Sequence, residues 1–126
     1  GDRFIFPSEV FFESGSDIIQ LEGLEKLREI ANSLIEISAK IPQNIDWILR
    51  VDGHTDKIPI KNEQFDSNWH LSSSRAINIV KFFIKNGIQP HRLVAAGFGE
   101  NYPIDKGNTD ESFKKNRRIE IKLTTR

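Results

Sequence analysis

The segment from Trp47 to His54 is the part of the sequence that most narrows the possible folds. Its residues alternate, so that Trp47, Leu49 and Val51 lie on one face of an extended strand and four mostly polar residues lie on the other. A strand covered by helices on both faces is apolar on both. The polar second face therefore predicts a two-layer domain, in which helices cover one face of the sheet and the other face is partly wet.

Helical periodicity flanks this strand on both sides. Apolar residues recur at helical spacing from residue 21 to residue 41, which predicts a first helix that covers a sheet. A second helix is predicted over residues 72–86, with Ser72 as its N-cap and Gly87 just past its end. Further strands are predicted at residues 4–12 (one irregular strand or two short ones, split by Pro7), 93–96 and 119–123. The order β-α-β-α-β-β predicts an α+β domain with a mixed sheet and both helices packed on one face.

The composition limits the classes of function. The 126 residues make one domain with a single core. Eighteen basic and eighteen acidic residues give a formal net charge of zero, which argues against nucleic-acid binding because such proteins usually carry a basic excess. The lack of cysteine excludes disulfides, thiolate metal ligands and cysteine nucleophiles. No apolar run reaches the roughly 20 residues that cross a bilayer, and no signal peptide is recognised.

A long polar connection joins the central strand to the second helix. It runs from Thr55 to Trp69, about fifteen residues, which is long for a compact domain and typical of a binding loop. Asp56 stands where the strand ends. Arg75 lies in the first turn of the predicted helix, where the helix dipole disfavours a cation. This position indicates that Arg75 has a role other than stabilising the helix. A guanidinium suits a carboxylate, and the two residues together predict a pocket for a small ligand of both charges. The alternative is a plain salt bridge between Asp56 and Arg75.

An acidic and histidine cluster offers a metal site as a second interpretation. Asp52, His54 and Asp56 recur at every second residue. Residues with this spacing line up along a strand instead of converging on one point, so the pattern does not favour a metal. We expect Asp52 to pair with Arg50 or a neighbouring strand, and His54 to brace the loop through a hydrogen bond.

A hydrolase is the alternative from another class. Ser72 or Ser73 would be the nucleophile, His54 or His70 the base and Asp56 the orienting acid. The sequence has no G-x-S-x-G motif, and helix capping already explains Ser72.

Two further groups of residues are left open. Trp69 and Phe65 either stack on a sugar or peptide or anchor the long loop to the body of the domain. Arg117 and Arg118, with the preceding lysines, form either a solvated edge or a basic corner from which one arginine reaches the pocket.

The polar runs, glycines and helix ends form a series of motifs in one order. They are Gly53-His54-Thr55-Asp56, Asn68-x-x-Leu71-Ser72-x-x-Arg75-Ala76, Gly87-Ile88, Arg92-Leu93, Gly97-x-Gly99, Pro103 and Asn116-Arg117-Arg118-Ile119-Glu120-Ile121. From Phe4 onward the chain thus resembles the OmpA-like peptidoglycan-binding domain family. Residues 67–72 and the long loop are most similar to its MotB-like branch, the peptidoglycan-anchoring subunits of flagellar stators. His70 departs from that branch, which often has an acid there.

The resemblance implies a non-enzymatic module that binds the diaminopimelate of the peptidoglycan stem peptide. Asp56 matches the family aspartate that holds the ammonium group, and Arg75 matches the arginine that holds the carboxylate. The resemblance adds contacts from Thr55, Asn68, Arg118 and the backbone of Leu71 and Ser72. It implies no cofactor, no metal and no catalytic residue. Replacement of Asp56 or Arg75 by Ala is expected to abolish wall binding and leave the thermal melt nearly unchanged.

The resemblance also implies a location. Residues 1–126 are expected to form the C-terminal domain of a longer protein that faces the periplasm and is tethered to the inner membrane. Homodimerisation and an inner-membrane partner subunit are the expected protein contacts, but no surface stripe in the sequence specifies an interface.

Overall fold

A computed structural model describes residues 3–126, which form four strands and three helices. In chain order these elements are β1 (Arg3–Pro7), α1 (Leu21–Ser38), β2 (Trp47–His54), α2 (Asn68–Lys85), β3 (Leu93–Gly99), α3 (Asp110–Asn116) and β4 (Arg118–Thr125). Short 3-10 helices lie at Ser8–Val10 and Pro90–Arg92. Within residues 3–126 no helix combines the length and the apolarity that crossing a membrane requires.

The four strands form one mixed sheet in the order β1-β4-β2-β3. β4 pairs antiparallel with β1 and with β2, whereas β2 and β3 are parallel. The predicted α+β class and mixed sheet are confirmed. The alternation of β2 is also confirmed, because Leu49 and Val51 are fully buried in the core together with Ile119 and Ile121 of β4. The helices complete this core with Leu27 and Ala31 of α1 and Ile79 and Phe83 of α2.

The second helix begins earlier than the sequence predicts. It starts at Asn68, and the side chain of Ser67 caps it by accepting a hydrogen bond from the backbone nitrogen of His70 at 3.2 Å. The expectation that Ser72 is the N-cap is therefore wrong. Ser72 lies inside the helix, where its hydroxyl is buried. The extra turn brings Asn68 and Leu71 onto the same helix as Arg75.

Other boundaries differ less. α1 ends at Ser38 instead of residue 41. The second apolar run near the N-terminus, predicted as strand, is a 3-10 helix followed by an isolated bridge between Phe12 and Ile19. Phe11 and Phe12 are buried there, so these residues pack as core side chains without joining the sheet.

Two glycines let α2 lie directly on the sheet. Gly53 of β2 and Gly97 of β3 are paired across the two strands. A Cβ atom on Gly97 would lie 2.6 Å from Ser73 Cα, and one on Gly53 would overlap the carbonyl oxygen of Ser72. Real Cβ atoms do not approach so closely, so these positions require glycine. This contact fixes the N-terminal half of α2 over the carboxyl ends of β2 and β3.

Candidate functional site

A cavity of about 670 Å³ lies where β2 passes into the long loop. Its other walls are residues 8, 9, 12–15 and 20, residues 58–61 of the loop and Arg117. Five of the seven predicted site residues line it: Thr55, Asp56, Asn68, Leu71 and Arg75. Segments far apart in sequence thus meet around one space.

Arg75 is a buried cation without an acidic partner. Its side chain is 5% exposed, and its Nε and Nη2 donate to the carbonyl oxygens of Ser16 at 2.7 Å and Glu13 at 3.0 Å. No carboxylate among residues 3–126 forms an ion pair with it. Burial lowers the pKa of Arg75 to about 10, although Asp17 opposes this change, and the group stays charged at neutral pH. A buried, charged guanidinium that lines a cavity favours an anionic ligand.

Asp56 faces the same cavity but pairs with a different arginine. Its Oδ2 accepts a hydrogen bond from Nη1 of Arg117 at 2.8 Å, and its Oδ1 accepts one from the backbone nitrogen of Ile58 at 3.0 Å. The alternative of a direct salt bridge between Asp56 and Arg75 is therefore wrong. Asp56 is 8% exposed, and each of its oxygens keeps capacity for a further donor. The charged residues that line the cavity are thus Asp56, Arg75 and Arg117 together with Glu9, Glu13 and Lys61.

Thr55 and Asn68 hold the backbone around Asp56. The hydroxyl of Thr55 donates to the carbonyl oxygen of Asp56 at 2.8 Å, and its backbone nitrogen donates to Gly99 at 2.9 Å. The amide nitrogen of Asn68 donates to the carbonyl oxygen of Ile58 at 3.1 Å and to a carboxylate oxygen of Glu100 at 3.1 Å. Both residues therefore fix the start of the long loop, which orients the Asp56 side chain.

The structure does not place Ser72 or Arg118 in the cavity lining. The hydroxyl of Ser72 donates to the carbonyl oxygen of Trp69 at 3.2 Å and accepts from the backbone nitrogen of Gly99 at 3.0 Å, so it ties α2 to β3. Arg118 begins β4 and pairs with Glu120 at 2.6 Å on the face of the sheet away from the helices. The alternation of β4 accounts for this position, and it is the preceding residue, Arg117, that reaches Asp56.

The comparison with protein families decides the classification. The model of the OmpA family matches residues 11–117. The chain belongs to the OmpA family. The expected recognition is confirmed at this level.

Individual relatives of this OmpA-family domain are motility proteins and a cell-wall anchor. The chain is 39% identical to Motility protein B of Bacillus subtilis over 118 residues, which are 93% of this chain and 42% of the relative. The periplasmic domain of Helicobacter pylori MotB superposes with a TM-score of 0.82 at 30% identity, covering 98% of this chain and 81% of that one. The cell wall anchor of the T6SS from Pseudomonas aeruginosa superposes with a TM-score of 0.82 at 26% identity, covering 98% and 80%. The chain spans less than half the length of the curated relative from Bacillus subtilis.

Sequence reasoning missed part of the wall of this OmpA-family site. It left Arg117 undecided between the cavity and a solvated edge, and it assigned no role to residues 12–15. The signal for Arg117 was its position just after a helix whose last turn is basic, since a cation at a helix C-terminus is stabilised there. Residues 12–15 carried no signal, because their place depends on hydrogen bonds to Arg75 about sixty residues away.

The open face of the sheet carries a separate group of buried charges. Glu120 lies between Arg118 and Arg3. Its Oε1 is 3.2 Å from Nη1 of Arg3, and its Oε2 is 3.7 Å from Nε2 of His54. Arg50 pairs with Asp52 at 3.3 Å, as the sequence predicts, while burial raises the pKa of Asp52. Among residues 3–126 no cluster of acidic and histidine side chains has the geometry to hold a metal ion.

The expected hydrogen bond from His54 to the loop is not formed. Nδ1 of His54 is buried and has no partner among the described residues, while the ring stacks on Phe98 with centroids 5.0 Å apart. Burial, together with the charges of Arg118 and Arg3 and against that of Glu120, lowers the pKa of His54 from 6.5 to about 4. The imidazole is therefore neutral in the folded domain at neutral pH.

The low pKa of His54 predicts a loss of stability in acid. Between pH 6.5 and pH 4 the unfolded chain takes up a proton on His54 that the folded domain does not, so the free energy of unfolding falls as pH falls through this window. Between pH 7 and pH 4.5, we expect the free energy of unfolding of His54→Gln to fall by roughly 2–3 kcal/mol less than that of the parent. Urea unfolding at the two pH values measures this difference. Parallel losses in both proteins would contradict the assignment.

Proposed function

We propose that this domain binds peptidoglycan non-covalently through the diaminopimelate of the stem peptide, and so anchors an envelope or flagellar-stator-like protein to the cell wall. The observation that carries the proposal is the buried Arg75, which forms an ion pair with no carboxylate of residues 3–126 and lies in the same cavity as Asp56. Membership of the OmpA family and similarity to a cell-wall anchor support it.

The charges of the cavity match the free end of diaminopimelate. Within a stem peptide this side chain ends in an amino-acid centre with one ammonium and one carboxylate group. Nη1 of Arg75 and the second N–H of its Nη2, which the carbonyl groups of Ser16 and Glu13 leave unused, donate to the carboxylate, and Asp56 accepts the ammonium group beside Arg117. Thr55 and Asn68 hold Asp56 in place, and Leu71 adds an apolar wall. The Ser72 backbone and Arg118 do not line the cavity. In this proposal they do not contact the ligand and serve only to hold α2 and β4 in position.

The same region of the structure supports a non-enzymatic role. The hydroxyl of Ser72 is engaged by Trp69 and Gly99, so it is not placed as a nucleophile. His54 faces Glu120 and not Ser72, so it is not placed as the base for that hydroxyl. We expect no soluble fragments when the domain is incubated with peptidoglycan. Release of muropeptides or glycan fragments would favour the hydrolase alternative.

Location and protein partners belong to the proposal as well. The domain is expected to lie in the periplasm, on a longer parent protein tethered to the inner membrane, with a homodimer and an inner-membrane partner subunit as its protein contacts. The similarity to a periplasmic domain of MotB supports this location. One site of this size binds modestly, and several copies on a polymeric wall give firm anchoring.

A matched pair of cell walls tests the ligand. The domain is sedimented with purified peptidoglycan whose stem peptides carry diaminopimelate, and with peptidoglycan that carries lysine at the same position. Lysine lacks the distal carboxylate, so Arg75 loses its partner, and we expect binding to be at least about tenfold weaker. Equal retention on both walls would contradict the role of diaminopimelate. Lack of retention on either wall would contradict wall binding itself.

A further inference from the structure

A second cavity lies at the end of the domain opposite the first. Its volume is about 340 Å³, and it lies between the C-terminal ends of α1 and α2 and the first residues of β2. The first cavity lies where β2 ends, so the length of this strand, roughly 25 Å, separates the two. Among residues 3–126, none lines both cavities. The second cavity is therefore a separate candidate site.

Most of the lining of the second cavity is apolar. Leu34, Leu49 and Ile88 belong to the hydrophobic core and form its inner side. Large apolar side chains make up half of the lining: Leu34, Ile35, Ile41, Trp47, Leu49 and Ile88. Arg92 alone carries a charge among the described residues that line it. An apolar lining with few polar groups is typical of a site for a small molecule.

Arg92 has hydrogen-bond donors that the chain does not use. Its Nη1 donates to the carbonyl oxygen of Trp47 at 2.9 Å, and its guanidinium lies 4.5 Å from the centre of the Trp47 ring. The carboxylate that pairs with it, on the exposed side chain of Asp46, is 3.8 Å away, so this ion pair is weak. Nε and Nη2 have no acceptor among residues 3–126, and Nε is buried. These two nitrogens form one edge of the guanidinium, which suits the two oxygens of a carboxylate.

The carbonyl groups at the helix ends beside this cavity have donors within the chain. At the end of α1 the carbonyl oxygens of Ile35, Ile37 and Ser38 accept hydrogen bonds from backbone nitrogens three or four residues later. At the end of α2 the carbonyl oxygen of Phe83 accepts from the nitrogens of two later residues. These acceptors therefore need no donor from a ligand, whereas Arg92 still needs an acceptor.

We propose that the second cavity binds the anion of a small apolar carboxylic acid. The carboxylate accepts hydrogen bonds from Arg92, and the hydrocarbon body packs against Leu34, Leu49 and Ile88. At about 30 Å³ for each non-hydrogen atom, the volume holds roughly ten such atoms. An eight-carbon fatty acid has this size. The inference does not depend on the binding of peptidoglycan.

Octanoate is the probe that tests this proposal. The chain has two tryptophans, so Trp69→Phe leaves only Trp47, which lines the cavity, to report binding by fluorescence. Titration of this variant with octanoate is expected to give a saturable change with a Kd of at most about 1 mM. 1-Octanol has the same hydrocarbon chain without the charge. We expect it to bind at least about tenfold more weakly, because it makes no charge-assisted hydrogen bond with Arg92.

Three further substitutions in the Trp69→Phe protein locate the site. Arg92→Gln keeps a donor for the carbonyl oxygen of Trp47 but removes the charge, so octanoate should bind at least about tenfold more weakly and 1-octanol as before. Ala39→Phe fills the cavity from the exposed end of α1 and leaves Arg92 in place, so it should abolish the binding of both. Ser33→Phe is the matched control, because it adds the same side chain at an exposed position of α1 outside the cavity. It should bind octanoate without change.

Three results would overturn the proposal. The first is the lack of a saturable change up to about 10 mM octanoate, ten times the expected Kd. The second is binding of 1-octanol as tight as that of octanoate. The third is unchanged octanoate binding by folded Arg92→Gln or Ala39→Phe.

This proposal and the proposed function fail separately. Sedimentation with peptidoglycan by a domain that does not bind octanoate would overturn the second site and leave the proposed function intact. Octanoate binding by a domain that does not sediment with peptidoglycan would do the reverse.

Discussion

Replacing Arg75 with Ala is expected to weaken retention on diaminopimelate-containing peptidoglycan by at least about a hundredfold. The substitution removes the fork that would hold the ligand carboxylate, a loss of two charge-assisted hydrogen bonds at about 1.5–3 kcal/mol each. Every tenfold change in affinity corresponds to about 1.4 kcal/mol. Sedimentation of the variant with purified cell wall over a range of wall concentrations measures the effect.

The same substitution is also expected to lower stability, contrary to the expectation from sequence. Arg75 holds residues 13–16 through the carbonyl oxygens of Glu13 and Ser16, and its guanidinium lies 4.9 Å from the ring centre of Phe12. Loss of these contacts should lower the free energy of unfolding by about 1–3 kcal/mol. Denaturant unfolding therefore has to accompany the binding measurement.

Two further variants separate binding from folding. Arg75→Lys keeps the positive charge but cannot donate two parallel hydrogen bonds to a carboxylate, so wall binding should fall while the domain stays folded. Arg28→Ala removes an exposed arginine from α1 and should bind like the parent. Folded Arg75→Lys and Arg75→Ala that both sediment with the wall as the parent does would overturn the assignment of Arg75.

The fold was predictable where one residue pattern determines one element. The alternation of residues 47–54 places Leu49 and Val51 in the core and Asp52 and His54 on the other face, as observed. The start of α2 was not predictable, because Ser67 and Ser72 are both good N-cap residues and lie five residues apart. Tertiary contact decides between them, since a helix that began at Ser72 would leave Asn68 unable to reach the loop carbonyl groups.

The site was predictable for residues next to an element end and unpredictable for those brought in by the fold. Asp56 and Arg75 stand out because each carries a charge at a strand or helix end, and both line the cavity. The pairing of Asp56 with Arg117 depends on the register of β4 against β2, which sets His54 opposite Arg118. That register places Arg118 on the open face and leaves Arg117 beside the cavity. The sequence alone does not tell which of the two adjacent arginines lies on which side.

Substitution of Gly97 by Ala is expected to destabilise the domain by about 3 kcal/mol or more, the upper part of the range for an overpacked core. The new methyl group would overlap the backbone nitrogen, Cα and Oγ of Ser73, so α2 has to move away from β3. Asn68, Leu71 and Arg75 move with the helix, and wall binding should fall as well. Urea unfolding and sedimentation with the cell wall measure the two effects.

A second substitution shows whether the backbone contact is responsible. Ser73→Ala removes the Oγ overlap but leaves the overlap with the backbone of residue 73, so the double variant should recover only a small part of the lost stability. Gly53→Ala, whose methyl group would meet the carbonyl group of Ser72, should behave like Gly97→Ala. Ala96→Ser is the control, because it enlarges the neighbouring side chain on the opposite face of β3 and should change stability by less than about 1 kcal/mol. Full rescue by Ser73→Ala, or a Gly97→Ala domain as stable as the parent, would contradict the idea that the close approach of α2 to the sheet builds the site.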